Sequence, residues 1–159
     1  MKKLLIAFAL VLACQAGKAQ TVENIFNSFK EKPGVEFVPV NKEMLQMVAG
    51  MAAQQNSEEA KAMEFMKNLE GINILSLEEA AADVKTEFLE MVGKMEWKDF
   101  EPIADVKEAD EQITIYGKKD KDKITELIIV MSEPKEPGLI HITGTISLDD
   151  VQKVMEMNK

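Results

Sequence analysis

Arginine is absent from this 159-residue chain: all nineteen basic side chains are lysine. The planar fork that grips phosphate and carboxylate through paired hydrogen bonds is therefore missing, which argues against nucleotide or phosphopeptide recognition. Against those lysines stand 28 acids, giving a formal charge of -9. So acidic a chain repels nucleic acid and anionic membrane surfaces. Histidine, tryptophan, tyrosine and cysteine occur once each, as His141, Trp97, Tyr116 and Cys14. A lone histidine with no second thiol is a poor donor set for zinc or iron, and a disulfide cannot form within the chain. Calcium loops are missing too, since Asp120 and Asp122 lie among lysines that oppose a cation. A serine triad would have to use His141, which falls mid-strand among threonines, where a half-covered strand residue is the plainer reading. No cofactor or metal is implied.

What is present begins with an export signal. Lys2 and Lys3 form a positive start, Leu4 to Leu12 an apolar core, and small residues follow. The core is far shorter than the roughly 20 residues that span a bilayer, and no transmembrane span is expected in the mature chain. Two cleavage readings stand. Gly17-Lys18-Ala19 fits the small-x-small rule, making residues 1–19 the signal and 20–159 a single domain of charge -12, because Lys2, Lys3 and Lys18 leave with the signal. Val11-Leu12-Ala13-Cys14 resembles a lipobox instead, with signal 1–13 and Cys14 acylated as a membrane anchor. Either way the protein is expected outside the cytoplasm, periplasmic or secreted in the first case and a lipoprotein in the second.

Hydrophobic periodicity organises the rest. Val22, Ile25, Phe26 and Phe29 recur at helical spacing up to Pro33-Gly34. Residues 35–40 alternate as a strand, and Pro39 assigns them to an edge. Asn41 caps a helix with Met44, Leu45, Val48, Met51 and Ala52 on one face, and Ser57 opens a second, striped by Ala62, Phe65, Met66 and Leu69 and closed by Gly71. After a short strand at 72–76, Ser76-x-x-Glu79 reads as a capping box for a long helix to Met95, buried through Val84, Phe88, Met91 and Met95. Four strands then follow. Residues 100–106 form an edge marked by Pro102, and Glu111 to Ser147 make three further strands of a meander with a charged loop at 116–123. Leu127 to Met131 is apolar on both alternating faces, so both should be sheltered, Trp97 and the N-terminal helix being the candidates for the second. His141, Thr143 and Thr145 alternate with Ile140, Ile142 and Ile146, giving that face a polar stripe. Ser147-x-x-Asp150 caps a last helix with Leu148, Val151, Val154 and Met155 inward. The expected fold is α+β: a mostly antiparallel sheet, built from a C-terminal four-strand meander plus one or two added strands, with amphipathic helices packed mainly on one face.

Methionine is the unusual ingredient. Met44, Met47, Met51, Met63 and Met66 fall together in the helical hairpin. They read as a plastic core, as an adaptable groove for a partner's helix or an apolar ligand, or as thioethers spaced for Cu(I). Glu79, Asp83, Glu87 and Glu90 share a helix stripe that reads as a solvated face, with Lys94 following Glu90 at i+4.

The order Glu-x-Ile-x-Ile-Tyr-Gly-Lys at 111–118, Ile-Thr-Glu-Leu at 124–127 and Leu-Ile-x-Ile-x-Gly at 139–144, followed by Ser-Leu-Asp, resembles the family known as domain of unknown function 4252. The resemblance covers nearly the whole mature chain. It implies a small exported protein of Bacteroidetes-type bacteria, and its members' frequent gene neighbourhood with envelope sigma and anti-sigma factors implies a role in envelope sensing. It supplies no catalytic residues. The functional expectation is a non-enzymatic binding or signalling module of the envelope, engaging an envelope protein or apolar ligand through the methionines or through His141, Thr143 and Thr145. The alternative is a carboxylate-dependent hydrolase of an envelope glycan or peptide, which requires two facing carboxylates with raised pKa in a cleft.

Overall fold

The structure, a computed structural model, describes residues 21–54, 63–108, 111–147 and 149. The signal segment with Cys14, the positions Ser57 and Ala62, and Leu148, Val151, Val154 and Met155 lie outside the described residues. Six strands form one antiparallel sheet: β1 (Glu36–Asn41), β2 (Leu69–Ser76), β3 (Glu101–Glu108), β4 (Glu111–Asp120), β5 (Lys123–Met131) and β6 (Gly138–Ile146). Their order is β1-β2-β6-β5-β4-β3. Strands β3 to β6 are the expected meander, β2 adds to the free side of β6, and β1 closes that edge. Pro39 and Pro102 sit on the two outermost strands, where a residue without an N–H is tolerated.

Helices lie on both sides of the sheet: α1 (Val22–Phe29), α2 (Lys42–Ala53), a 3-10 helix (Met63–Asn68) and α3 (Ala82–Gly93). Together with the sheet they make an α+β fold. On β5 the neighbours Leu127 and Ile128 point to opposite faces, and both are buried. Ile128, Val130, Leu75 and Leu139 pack with Ile25, Phe26 and Phe29 of α1 and with Phe88 and Val92 of α3. Phe29 meets Phe88 edge to face at 5.4 Å, and Trp97 stacks on Tyr116 at 3.8 Å. The N-terminal helix and Trp97 thus shelter this face of β5. On the other face Leu127, Ile115, Ile124 and Ile146 pack with Leu69, with Leu45 of α2 and with half-buried Phe65 and Met66. Two thin cores therefore sandwich the sheet, and β5 contributes to each.

Three local expectations are corrected. Leu69 already begins β2, and Gly71 lies inside that strand opposite Asn41 and Thr143, with none of the positive φ a helix-closing glycine adopts. Ser76 does not start the long helix. Its Oγ accepts from the Glu78 N–H within a turn, whereas α3 begins at Ala82 after an N-cap residue, Ala81, without a side-chain bond. The cause is the ladder: the Leu77 N–H donates to the Pro137 carbonyl at 3.0 Å and Leu77 is fully buried, so the chain stays extended for one more residue before it can coil. The charged loop is also shorter than expected, because β4 and β5 pair as far as Asp120 and Lys123 and leave a tight turn with Lys121 at φ 57. Ion pairs of Lys118 with Glu126 and of Lys119 with Glu101 tie the lysines into the strands.

Candidate functional site

Two features hold candidate residues. The first is a cleft of about 350 Å³ between the start of α1 at Val22, the link after α3 at Met95 and Phe100, and the sheet residues Lys118, Glu126 and His141. These last three lie on the adjacent strands β4, β5 and β6, so the register brings them together. The Glu126 carboxylate accepts from Lys118 Nζ at 3.0 Å and lies 3.0 Å from His141 Nε2. Burial works to raise the Glu126 carboxyl, but hydrogen bonds and charge from Lys118 and His141 outweigh it and hold the group below the usual carboxylate range. The hydrogen bond to Glu126, reinforced by its charge, raises Lys118 in turn. Phe26 lies against the His141 ring at 6.4 Å. Thr143 donates to the Gly71 carbonyl at 3.4 Å, and Thr145 is exposed. His141, Thr143 and Thr145 therefore form no open polar surface: α1 roofs the first, the second turns toward β2, and the third faces solvent alone.

The second feature is the outward face of α2. Asn41 caps this helix by accepting from the Met44 N–H at 2.9 Å, as its sequence indicated. Leu45 and Ala49 are the buried positions, each 3% exposed, and they set α2 against the sheet. Met44, Met47, Val48 and Met51 are 49%, 67%, 46% and 62% exposed. The reading of Met44, Met47 and Met51 as core is thus overturned, and the face shared by Met44, Leu45, Val48, Met51 and Ala52 divides, Leu45 turning to the sheet while Met44, Val48 and Met51 are exposed. At 100° per residue the contact stripe centres on Leu45 and Ala49, which carries those three side chains about a quarter-turn or more away from the sheet. The four exposed residues are spaced i, i+3, i+4 and i+7, the pattern of a helix face that packs on something. Met66 is half-buried beside the sheet in the 3-10 helix, which Met63 opens.

A family model described as Domain of unknown function (DUF4252) matches residues 29–154. The chain belongs to this family. No curated protein and no solved structure matched it. Membership extends over every strand and over α2 and α3, and it assigns no chemistry to the cleft or to the methionine face.

Lys118 and Glu126 are the site residues that sequence reasoning missed in this family member. In the sequence Lys118 falls within the charged segment 116–123 that reads as a loop, which hides its pairing with Glu126. The signal that could have found it is the hairpin register: carrying β4 on through Lys118 puts that residue opposite Glu126, with His141 one strand further on. Glu87 and Glu90 are exposed on α3, paired with Lys32 and Lys94, as a solvated face requires. Among the described residues no helix is long and apolar enough to cross a membrane, and no group of three or more His, Cys, Asp or Glu is arranged to hold a metal ion.

Proposed function

We propose that this protein is an exported, non-enzymatic binding module of the cell envelope that docks a partner protein on the outward face of α2. The observation that carries the reading is the double amphipathicity of that helix. One stripe, Leu45 and Ala49, packs on the sheet, while Met44, Met47, Val48 and Met51 stay exposed. Large apolar side chains clustered on one face mark interaction sites, whereas scattered ones do not. Methionine suits such a face because its unbranched thioether adapts to a guest's shape. Soft-metal capture is less well served: Met44 and Met51 are separated by roughly 10 Å of helix rise, so the thioethers are strung along an axis and do not converge on one ion. The hydrolase alternative needs a carboxylic acid that keeps its proton near neutrality. Glu126, held low by Lys118 and His141, is the opposite.

The test is site-specific photocrosslinking in cells, with the reactive group placed at Met47 and, as control, at Glu87 on α3. Position 47 is expected to capture one reproducible envelope protein that position 87 does not, and Met51→Glu should abolish the capture. Equal capture at both positions, or none at 47, would count decisively against docking through α2.

A further inference from the structure

We propose that a second cleft, between the C-terminal end of α3 and strands β4 and β5, binds a neutral saccharide, a role independent of docking through α2. The cleft holds about 380 Å³, inside the range of about 300–1,000 Å³ that small-molecule sites occupy. Its floor follows from strand periodicity. Gln112, Thr114 and Tyr116 alternate along β4 and so share one sheet face, and Val130 of β5 stands opposite Thr114. The Ser132 N–H donates to the Gln112 carbonyl at 2.8 Å, which carries the ladder one step past β5 and brings Ser132 into the same lining. Leu89 and Val92 of α3 lie across this floor, and at the Tyr116 end Trp97 stacks on the phenol ring, 7° from parallel. The only tryptophan and the only tyrosine of the chain thus meet in one cleft.

Two properties of the lining select the ligand. The first is neutrality. In a chain of which 30% is charged, none of the described residues that line this cleft carries a charge, so an anion meets no lysine there and a cation no carboxylate. Asp105 stands just outside, exposed on β3, where it accepts from Thr114 Oγ1 at 3.2 Å and has Lys107 Nζ at 3.9 Å. Burial, followed by the charge of Asp105, pushes the Tyr116 hydroxyl above its ordinary value, so the phenol keeps its proton. The second property is unused hydrogen-bonding capacity. Among the described residues, the Gln112 amide and the Ser132 and Tyr116 hydroxyls have no protein partner, and Thr114, donating to Asp105, retains its acceptor lone pairs. A wholly apolar ligand would strip water from these groups and return no hydrogen bond, at a cost for each. A pyranose ring matches both kinds of surface. Its hydroxyls donate to and accept from the amide and hydroxyl groups, while its C–H groups lie against Leu89, Val92 and the aromatic pair. The facing carboxylates that glycoside hydrolysis uses are missing among the described lining residues, so the sugar is held there and not cleaved.

The experiment is calorimetric titration of the purified protein with three neutral trisaccharides, maltotriose, mannotriose and triacetylchitotriose, against trigalacturonate and adenosine as comparison probes. At least one neutral trisaccharide is expected to bind saturably, more tightly than either comparison probe, and to shift the fluorescence of Trp97, the only tryptophan in the chain. Combining Gln112→Leu with Ser132→Ala removes hydrogen-bonding groups and leaves the aromatic pair in place, and should weaken that sugar about tenfold or more. An unchanged melting curve would show that the doubly substituted protein is folded. Thr114→Val, a milder removal in the same row, should weaken the sugar as well, so the prediction stands on a second variant. Met47→Gln on α2 should leave sugar binding unchanged, which separates this site from the docking face. Absence of saturable binding by all three neutral trisaccharides, equal binding of trigalacturonate or adenosine, or indifference to both the folded double substitution and Thr114→Val would each overturn the inference.

Discussion

Glu126 is a half-buried carboxylate whose charge is answered on two sides, by Lys118 and by His141. Folding lowers its pKa, so its contribution to stability is fully present above the value of an unfolded-chain glutamate and is lost as pH falls through the lowered folded value. Lys118, raised by the same contact, contributes below the ordinary lysine value and loses that share as pH rises through the raised one. Glu126→Gln is therefore expected to cost about 1 kcal/mol in neutral solution. In urea melts at a series of pH values, the gap to the unsubstituted protein should close in acid, where both side chains are uncharged. Gly144 carries a different constraint. Its φ of 137 lies where L side chains rarely go, and a Cβ there would sit 2.6 Å from the Leu69 Cα and from the Asn68 carbonyl oxygen. Both are backbone atoms that cannot rotate aside, so Gly144→Ala should destabilise by about 1–3 kcal/mol, read as a lower urea midpoint.

At the scale of elements, α1 was legible because Val22, Ile25, Phe26 and Phe29 form one stripe and all four are buried. The two edge strands were legible for a local reason also, the missing N–H of Pro39 and Pro102. α2 was only half legible. Its apolar residues cover more than half the helix circumference, so periodicity announces a helix without saying which third faces the sheet; that is fixed by Leu45 meeting the β1–β2 surface. The cleft trio was not legible, because Lys118, Glu126 and His141 meet through strand register, which depends on pairing distant in sequence. Urea melts of single variants should separate the two kinds of apolar residue. Phe88→Ala empties a fully buried site against Phe29 and is expected to cost about 3–5 kcal/mol. Met47→Ala, at an exposed position, should stay within about 0.5 kcal/mol.

For the whole molecule, the sheet is clad on both faces, and this explains how β5 can be apolar on both sides without presenting an open sheet surface along its centre. Of the six large apolar side chains left exposed among the described residues, four belong to α2. Packing on the sheet does not call for them there, since the same helix already holds the sheet through Leu45 and Ala49. The proposed export is tested by intact-mass analysis of protein recovered from the envelope, which is expected to give a chain beginning at Gln20; a lipidated Cys14 would replace the soluble form with an anchored one. The docking claim is tested most directly by methionine oxidation footprinting, performed on the purified protein and on intact cells. Purified protein should oxidise at Met47 and Met51 far faster than at buried Met95, whereas in the cell a seated partner should slow Met47 and Met51 toward the Met95 rate. Equally fast oxidation of Met47 and Met51 in both settings would mean that nothing covers the outward face of α2, and would contradict the account.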